Sequence, residues 1–149
     1  MLKRILALGI ITFSMILTGC AKVDMAPETK SLQTKQFKTP PKGKSGIYIY
    51  RDSFFGAGVS NSLYIDDKLI GKTAPYVFLY KEVNAGKHKI FANSSFGTDE
   101  MSLTTESGKN YYIRNYIRMG FFSGGANLEK IEETKAQKEI SKLDLSETW

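Results

Sequence analysis

From residue 46 onward, apolar and polar residues alternate in short runs that turn-forming residues separate. Successive side chains of a β-strand point to opposite faces of its sheet, so alternation over about four to eight residues is typical of a half-buried strand. Asp66-Asp67 supplies one of the turns between runs. The predicted strands are residues 47–51, 62–65, 69–70, 76–80, 87–92, 100–105 and 111–118. We therefore predict an all-β domain over residues 46–133, a single small β-sandwich of about seven short strands.

Near the C-terminus, the apolar residues take the spacing of a helix. Ala136, Ile140 and Leu143 form a narrow stripe, because residues three and four apart share one helix face. Thr134 and Gln137 match a capping box with threonine as the N-cap. We predict a short helix within a C-terminal segment of residues 134–149. The helix packs either on the sheet or on a partner protein.

The segment before the predicted domain shows neither period. Residues 20–45 carry Lys, Thr, Gln and Pro with few large apolar side chains, and Pro40-Pro41-Lys42-Gly43 interrupts any regular structure. We predict a flexible tether over these residues.

The first nineteen residues have the pattern of an export signal. Lys3 and Arg4 precede a mostly apolar run over residues 5–17. This run is too short to cross a bilayer, which needs about 20 apolar residues. A positive start, a short apolar core and small residues before a break are typical of a cleaved signal peptide.

Residues 17–20, Leu-Thr-Gly-Cys, resemble the lipobox of bacterial lipoproteins. The resemblance implies cleavage between Gly19 and Cys20, a diacylglycerol group on the Cys20 thiol and acylation of the new amino group. A plain secretory signal with a chance cysteine is the alternative. In Gram-negative lipoproteins an aspartate after the cysteine implies retention at the inner membrane, and Ala21 stands there instead. If the source is Gram-negative, we therefore expect a lipid-anchored protein on the periplasmic face of the outer membrane.

Composition and charge narrow the function classes. Cys20 is the only cysteine, so the fold contains no internal disulfide. Without Lys3 and Arg4, 19 of the 21 basic residues remain; with 15 acidic residues, the net charge is +4. Mild positive charge favours anionic surfaces such as lipid headgroups. It is too small and too scattered to indicate nucleic-acid binding.

In three predicted strands, the odd-numbered positions carry aliphatic residues and the even-numbered positions carry tyrosine and arginine. The aliphatic set is Ile47, Ile49, Leu63, Ile65, Ile113 and Ile117. The second set is Tyr48, Tyr50, Tyr64, Tyr112, Arg114, Tyr116 and Arg118. If these strands are neighbours, the second set shares one surface on which arginines stack on rings. This surface is either covered by the C-terminal helix or tether, or exposed as a binding face for a glycan strand or partner protein.

Two glycine-rich loops resemble each other. Residues 51–58 and 118–125 agree at four of eight positions, in the order Arg, Phe, Phe, Gly. The candidate loop tips are Phe54, Phe55, Phe121 and Phe122. Either one ring of each pair plugs an end of the sandwich, or both loops present an apolar tip to a membrane or partner. The second hypothesis requires the two preceding strands to run in the same direction.

The sequence offers no catalytic constellation. His88 is the only histidine, and no Gly-x-Ser-x-Gly motif occurs. Gly56-Ala57-Gly58 lacks the spacing of a phosphate-binding loop. We expect a non-enzymatic protein with no metal and no cofactor.

The stretches at residues 64–75 and 83–90 resemble the PEGA-type β-domain. There a strand, an aspartate-led turn, an Ile-Gly step and a Pro-Ala-Gly-x-His-like turn recur; Asn84 replaces the usual proline, and Asp67 a frequent glycine. Over about residues 44–133 the arrangement looks like a family of bacterial lipoprotein domains of unknown function. The resemblance implies a PEGA-like, immunoglobulin-like sandwich in the cell envelope and supplies no catalytic residues.

The sequence therefore leaves two functional hypotheses open. The first is a membrane-anchored envelope lipoprotein that acts as a non-enzymatic interaction or structural module, with the membrane and an envelope protein as partners. The second is a module that holds a cell-wall glycan or small molecule on the tyrosine and arginine face. An exposed pocket beside Tyr48, Tyr112 and Arg114 would favour the second.

Overall fold

The computed structural model describes residues 22–118 and 125–149, which form two packed β-sheets. The larger sheet has the order β8-β7-β1-β4-β9, and the smaller has the order β3-β2-β5-β6. The strands in these ranges are β1 (Lys44–Arg51), β2 (Asn61–Ile65), β3 (Lys68–Thr73), β4 (Val77–Asn84), β5 (Gly86–Ser94), β6 (Gly97–Thr105), β7 (Asn110–Arg118), β8 (Gly125–Ile131) and β9 (Asp144–Leu145). The helices are α1 (Glu28–Thr34) and α2 (Glu133–Ile140). The predicted all-β sandwich is confirmed.

The aliphatic parity of the strands forms the core between the sheets. Ile49 and Ile113 are fully buried and lie opposite each other on β1 and β7. Leu63 and Ile90 of the second sheet belong to the same core. Because burial of one such side chain contributes about 1.5–3 kcal/mol, this face fixes the register of each strand.

Two strands lie outside the predicted set. β8 pairs with β7, but its residues show only weak alternation, and the two half-buried and two exposed positions in its middle hide the strand in the sequence. β9 has two residues and is a strand because it pairs with β4, with Asp144 opposite Val77 and Leu145 opposite Phe78. Pairing with neighbours, not local pattern, creates both strands.

The predicted flexible tether is wrong for residues 22–45. Met25 pairs with Ser146, and the Ala26 N–H donates to the Leu145 carbonyl at 2.9 Å. α1 follows, and the ring of Phe37 packs on the ring of Tyr48 at 5.4 Å. The few apolar residues of this segment suffice because they cover tyrosines that β1 would otherwise expose. β1 itself already begins at Lys44.

The helix near the C-terminus is capped differently from the prediction. Glu132 is the N-cap, and its carboxylate accepts from the N–H groups of Thr134 at 2.8 Å and Lys135 at 3.0 Å. These two donors hold the pKa of Glu132 below its usual range. Thr134 therefore lies inside the helix, because an acidic N-cap two residues earlier satisfies the free N–H groups.

α2 packs on the sheet, as one of the two alternatives predicted. Ala136 and Ile140 are fully buried, and Leu143 is buried just beyond the helix end. The chain then adds β9 to the large sheet and crosses to the small one, where the Trp149 N–H donates to the Ile70 carbonyl at 3.0 Å. Neither helix of the described residues is long and apolar enough to cross a membrane.

Candidate functional site

Three of the seven residues of the predicted tyrosine and arginine face lie beneath other parts of the chain. Tyr48, Tyr50 and Tyr112 are at most 2% exposed, because α2 and the segment around Phe37 cover them. The interpretation of this face as an exposed binding platform is therefore wrong for these three residues. In the structure, the C-terminal helix and the segment before β1 cover these tyrosines, as the other interpretation expects.

Tyr48 is the centre of the covered cluster. Its ring lies 4.6 Å from the ring of Tyr80 and 5.2 Å from that of Tyr112. Its hydroxyl donates to the Thr34 carbonyl at the end of α1, at 3.1 Å. Burial, with smaller contributions from the charges of Tyr80 and Tyr112, raises the pKa of Tyr48 well above its usual value. The cluster therefore holds a neutral phenol that ties β1 to the N-terminal segment.

Two further phenols tie the sheet to α2. The Tyr50 hydroxyl donates to Glu139 Oε2 at 2.5 Å, and burial followed by this hydrogen bond raises the pKa of Tyr50. The Tyr112 hydroxyl donates to Glu133 Oε1 at 3.2 Å and accepts from Gln137 Nε2 at 2.8 Å. Burial raises the pKa of Tyr112 to about 12. These polar tips give α2 a fixed position on the sheet.

The remaining residues of the predicted face separate. Tyr64 lies on β2, in the other sheet, where its ring is 5.7 Å from that of Phe91. Arg114 donates from Nε to Asp52 Oδ1 at 2.8 Å and stacks over the half-buried Tyr116 ring. Burial alone would lower the pKa of Arg114, but the hydrogen bond and charge of Asp52 outweigh it and raise that pKa. Parity predicted the strand faces correctly, but it could not tell that β2 belongs to the second sheet.

Three loops at one end of the sandwich carry most of the large exposed apolar side chains of the described residues. Arg51 lies opposite Val77, Asn61 opposite Thr73, and Ser62 opposite Asn93, so the loops 52–60, 74–76 and 94–97 leave the sheets at the same end. We call this the aromatic end. Its exposed rings are Phe54 (61%), Phe55 (49%), Tyr76 (51%) and Phe96 (62%).

An apolar groove of about 250 Å³ opens at the aromatic end. Its lining residues are Phe55, Gly56, Ala57, Gly58, Val59, Phe96, Ile117 and Arg118. Arg118 is exposed and is the one charged residue among them. The groove thus combines apolar walls with a cation at its rim.

A buried arginine holds the loop of this groove. Arg51 is fully buried, and its guanidinium donates to the carbonyls of Val59 at 2.6 Å, Phe55 at 2.8 Å and Gly56 at 2.7 Å. Burial lowers the pKa of Arg51. The sequence contained the signal for this role, because Arg51 has the parity of Ile47 and Ile49 and so had to point between the sheets.

The two similar loops are not equivalent in the structure. β1 and β7 run parallel, as the shared-tip hypothesis requires, but Tyr50 lies opposite Arg114, so Arg51 is level with Asn115 and Arg118 lies three residues further along. Arg51 points inward and Arg118 outward. Phe54 and Phe55 are exposed, which excludes both as plugs of the sandwich end. Phe121 and Phe122 lie outside the described residues.

The opposite end of the sandwich is polar, and we call it the charged end. Lys44 lies opposite Asn84, and its carbonyl accepts from the Gly108 N–H at 2.7 Å, so the start of β1 and the turns 66–67, 84–86 and 106–109 gather there. Five lysines and three acids lie at or beside these turns: Lys42, Lys44, Lys68, Lys87, Lys109, Asp66, Asp67 and Glu106. The two ends of the sandwich thus differ in chemistry.

His88 has a structural environment near the charged end. Its Nδ1 lies 2.7 Å from Asp66 Oδ2, and its Nε2 lies 2.7 Å from the Asn84 carbonyl oxygen. The two contacts tie His88 to the turn between β2 and β3 and to the end of β4. Within residues 22–118 and 125–149, no three His, Cys, Asp or Glu side chains form a group that could hold a metal ion. Cys20, the predicted lipidation site, lies outside the described residues.

Comparisons with known proteins place the chain in a family. The sequence profile described as "Protein of unknown function (DUF2846)" matches residues 41–126, more than half of the chain and nearly the whole sandwich. An uncharacterized protein of Haemophilus influenzae is 51% identical over 138 residues, which cover 93% of this chain and 82% of that protein. No solved structure matches. The chain therefore belongs to the DUF2846 family of proteins of unknown function.

Proposed function

We propose that the protein is a lipid-anchored lipoprotein of the cell envelope whose β-sandwich is a non-enzymatic interaction module. The observation that carries this proposal is the spacing between Cys20, which ends a lipobox-like sequence, and the folded domain. Among the described residues, the first that hydrogen-bonds to the sandwich is Asp24, four residues after Cys20; its carbonyl accepts from the Glu147 N–H at 2.8 Å. Four extended residues span at most about 14 Å, so acyl chains on Cys20 would hold the domain close to the bilayer. One acyl chain binds a membrane only marginally, whereas two or three anchor a protein stably.

The distribution of charge supports the same arrangement. From Met25 back to Lys22, the chain runs antiparallel to the tail after β9, and therefore towards the charged end. The lysine excess at that end favours anionic headgroups, at about 1 kcal/mol per lysine close to the surface. Since Ala21 follows Cys20, we propose the periplasmic face of the outer membrane in a Gram-negative source.

We also infer that the fold is of the PEGA type. The support is the Ile-Gly step at Ile70 and Gly71. Gly71 has φ +150, and a Cβ there would press on the Leu79 side chain and lie 2.9 Å from the Glu147 carbonyl oxygen. The β3 position therefore requires glycine, as the resemblance implies.

The lipid anchor is testable on a three-residue peptide. In the mature protein, trypsin cleaves after Lys22 and releases Cys20-Ala21-Lys22 with every acyl group attached. Mass spectrometry of the full-length protein from membranes should find this peptide with one diacylglycerol and one amide-linked acyl group. The variant Thr29→Ala, which changes an exposed residue beyond the lipobox, should give the same peptide.

The variant Cys20→Ala should yield no lipidated peptide. An unmodified Cys20 in the membrane form, or an N-terminus created by cleavage elsewhere, would contradict the proposal.

A further inference from the structure

We propose that the aromatic end docks a protein partner that presents an apolar segment with an acidic residue beside it. The inference deepens the proposed interaction function, and its orientation on the membrane rests on the lipid anchor at Cys20.

The composition of the aromatic end is that of an interface centre. Loops 52–60, 74–76 and 94–97 contain one charged residue, Asp52, and Arg114 already pairs with it at 2.8 Å. Aromatic residues and arginine are enriched at the centres of protein interfaces, whereas lysine and glutamate are depleted. Phe55 and Phe96 line the same groove, and the exposed rings of Phe54 and Tyr76 lie on loops at the same end.

The groove specifies the chemistry of the segment that enters it. An apolar cavity of about 150 Å³ holds a benzene molecule, so the 250 Å³ groove accommodates at least one large apolar side chain. Arg118 lines its rim, and no acidic residue lines it among the described residues. A carboxylate next to the inserted side chain would complement this cation.

The loop that forms the groove is preorganised. The three hydrogen bonds from Arg51 fix the carbonyls of Phe55, Gly56 and Val59, so the loop loses little conformational freedom when a partner binds.

The position of the anchor disfavours the anchoring membrane as the occupant. Val77, at the start of β4, pairs with Asp144. Ser146 lies two residues further along and pairs with Met25, and Lys22 lies three residues beyond Met25 in the same direction. At about 3.3 Å per strand residue, Lys22 lies roughly 16 Å from the level at which β1 ends, and the aromatic loops extend further still. The lipid would therefore hold the aromatic end away from its own leaflet.

The same geometry disfavours a second copy. Two sandwiches packed aromatic end to aromatic end would have their Lys22 residues at the far ends of the pair. Two copies anchored in one leaflet could not adopt this arrangement. A protein of different sequence is therefore the occupant to which the observations point.

The test is site-specific photocrosslinking in cells that produce the full-length, lipidated protein. A photoreactive phenylalanine analogue replaces Phe96 in one strain and exposed Ser107, at the charged end, in a control strain. The analogue at 96 should give a discrete protein adduct that the analogue at 107 does not. The crosslinked partner peptide should contain an apolar run with Asp or Glu beside it.

Charge reversal tests the recognition directly. Arg118→Glu should lower the yield of the adduct about tenfold, whereas Arg118→Lys should retain most of it. Because Arg118 is exposed, neither change should alter the thermal unfolding midpoint.

Adducts at position 96 with phospholipid, with a second copy of the chain, or with no molecule would each overturn the docking proposal. A partner peptide without an acidic residue, or an adduct insensitive to Arg118→Glu, would overturn the proposed recognition. If the native protein proves to carry no lipid on Cys20 and the discrete adduct at position 96 still forms, the docking proposal stands while the anchor proposal fails, so the two proposals fail separately.

Discussion

At the scale of single residues, neighbouring side chains of one turn have opposite roles. Asp66 and Asp67 connect β2 to β3 with φ values of +50 and +63, as a type I′ hairpin turn requires. The Asp66 carboxylate accepts from the Lys89 N–H at 2.9 Å and contacts His88. Burial would raise the pKa of Asp66, but these partners lower it overall. The Asp67 carboxylate accepts no hydrogen bond from the described residues. Its left-handed backbone conformation is therefore a steric cost without compensation.

This contrast predicts two substitutions of opposite sign. Asp67→Gly should raise the free energy of unfolding by about 0.5 kcal/mol, because glycine adopts positive φ without steric cost. Asp66→Gly should lower it by about 1 kcal/mol, because the turn loses its hydrogen bonds to β5. Urea unfolding of the mature domain measures both. Equal effects of the two changes would mean that the carboxylate of Asp66 does not stabilise the turn.

At the scale of elements, alternation predicted the two faces of β1 and β7 but not what covers the outer one. A strand's parity depends only on its own residues, so Ile49 and Tyr50 were assigned to opposite sides correctly. The cover depends on contacts across the chain, such as Phe37 on Tyr48 and Glu139 on Tyr50. The segment 22–43 has a composition typical of disorder, and only its tertiary partners order it.

The covered tyrosines predict a loss of stability in alkali. Tyr48, Tyr50 and Tyr112 have pKa values raised by burial, so the folded state retains their protons better than the unfolded state does. Their contribution is complete below pH 10, the ordinary tyrosine pKa, and is lost as the pH rises above it. Urea unfolding at a series of pH values should show this decline.

Matched variants assign the alkaline effect. Tyr50→Phe should flatten the decline, because it removes one of the three phenols. Tyr76→Phe, which removes an exposed phenol at the aromatic end, should leave the profile as in the parent protein. If both variants left the alkaline decline in stability unchanged, the covered tyrosines would not be its cause.

At the scale of the whole molecule, the two ends of the sandwich differ in chemistry: one is aromatic and the other is charged. The sequence contained the phenylalanines of the loops and the lysines of the turns, but their gathering at opposite ends follows from strand pairing. The parallel pairing of β1 with β7 and the antiparallel pairing of β1 with β4 are both non-local. For the same reason, the sequence alone does not place Phe96 and Tyr76 beside the loop after β1; the pairing of the strands does.

The central claim is that Cys20 anchors the charged end towards the membrane and leaves the aromatic end distal. Since Cys20 is the only cysteine and its thiol would be acylated, an added cysteine provides a single labelling site. Ser107→Cys and Ser95→Cys place a fluorophore on exposed residues at the charged and aromatic ends respectively. Energy transfer to a headgroup acceptor in vesicles carrying the lipidated protein should be strong from residue 107 and weak from residue 95. Equal transfer from both sites, or stronger transfer from residue 95, would contradict the account.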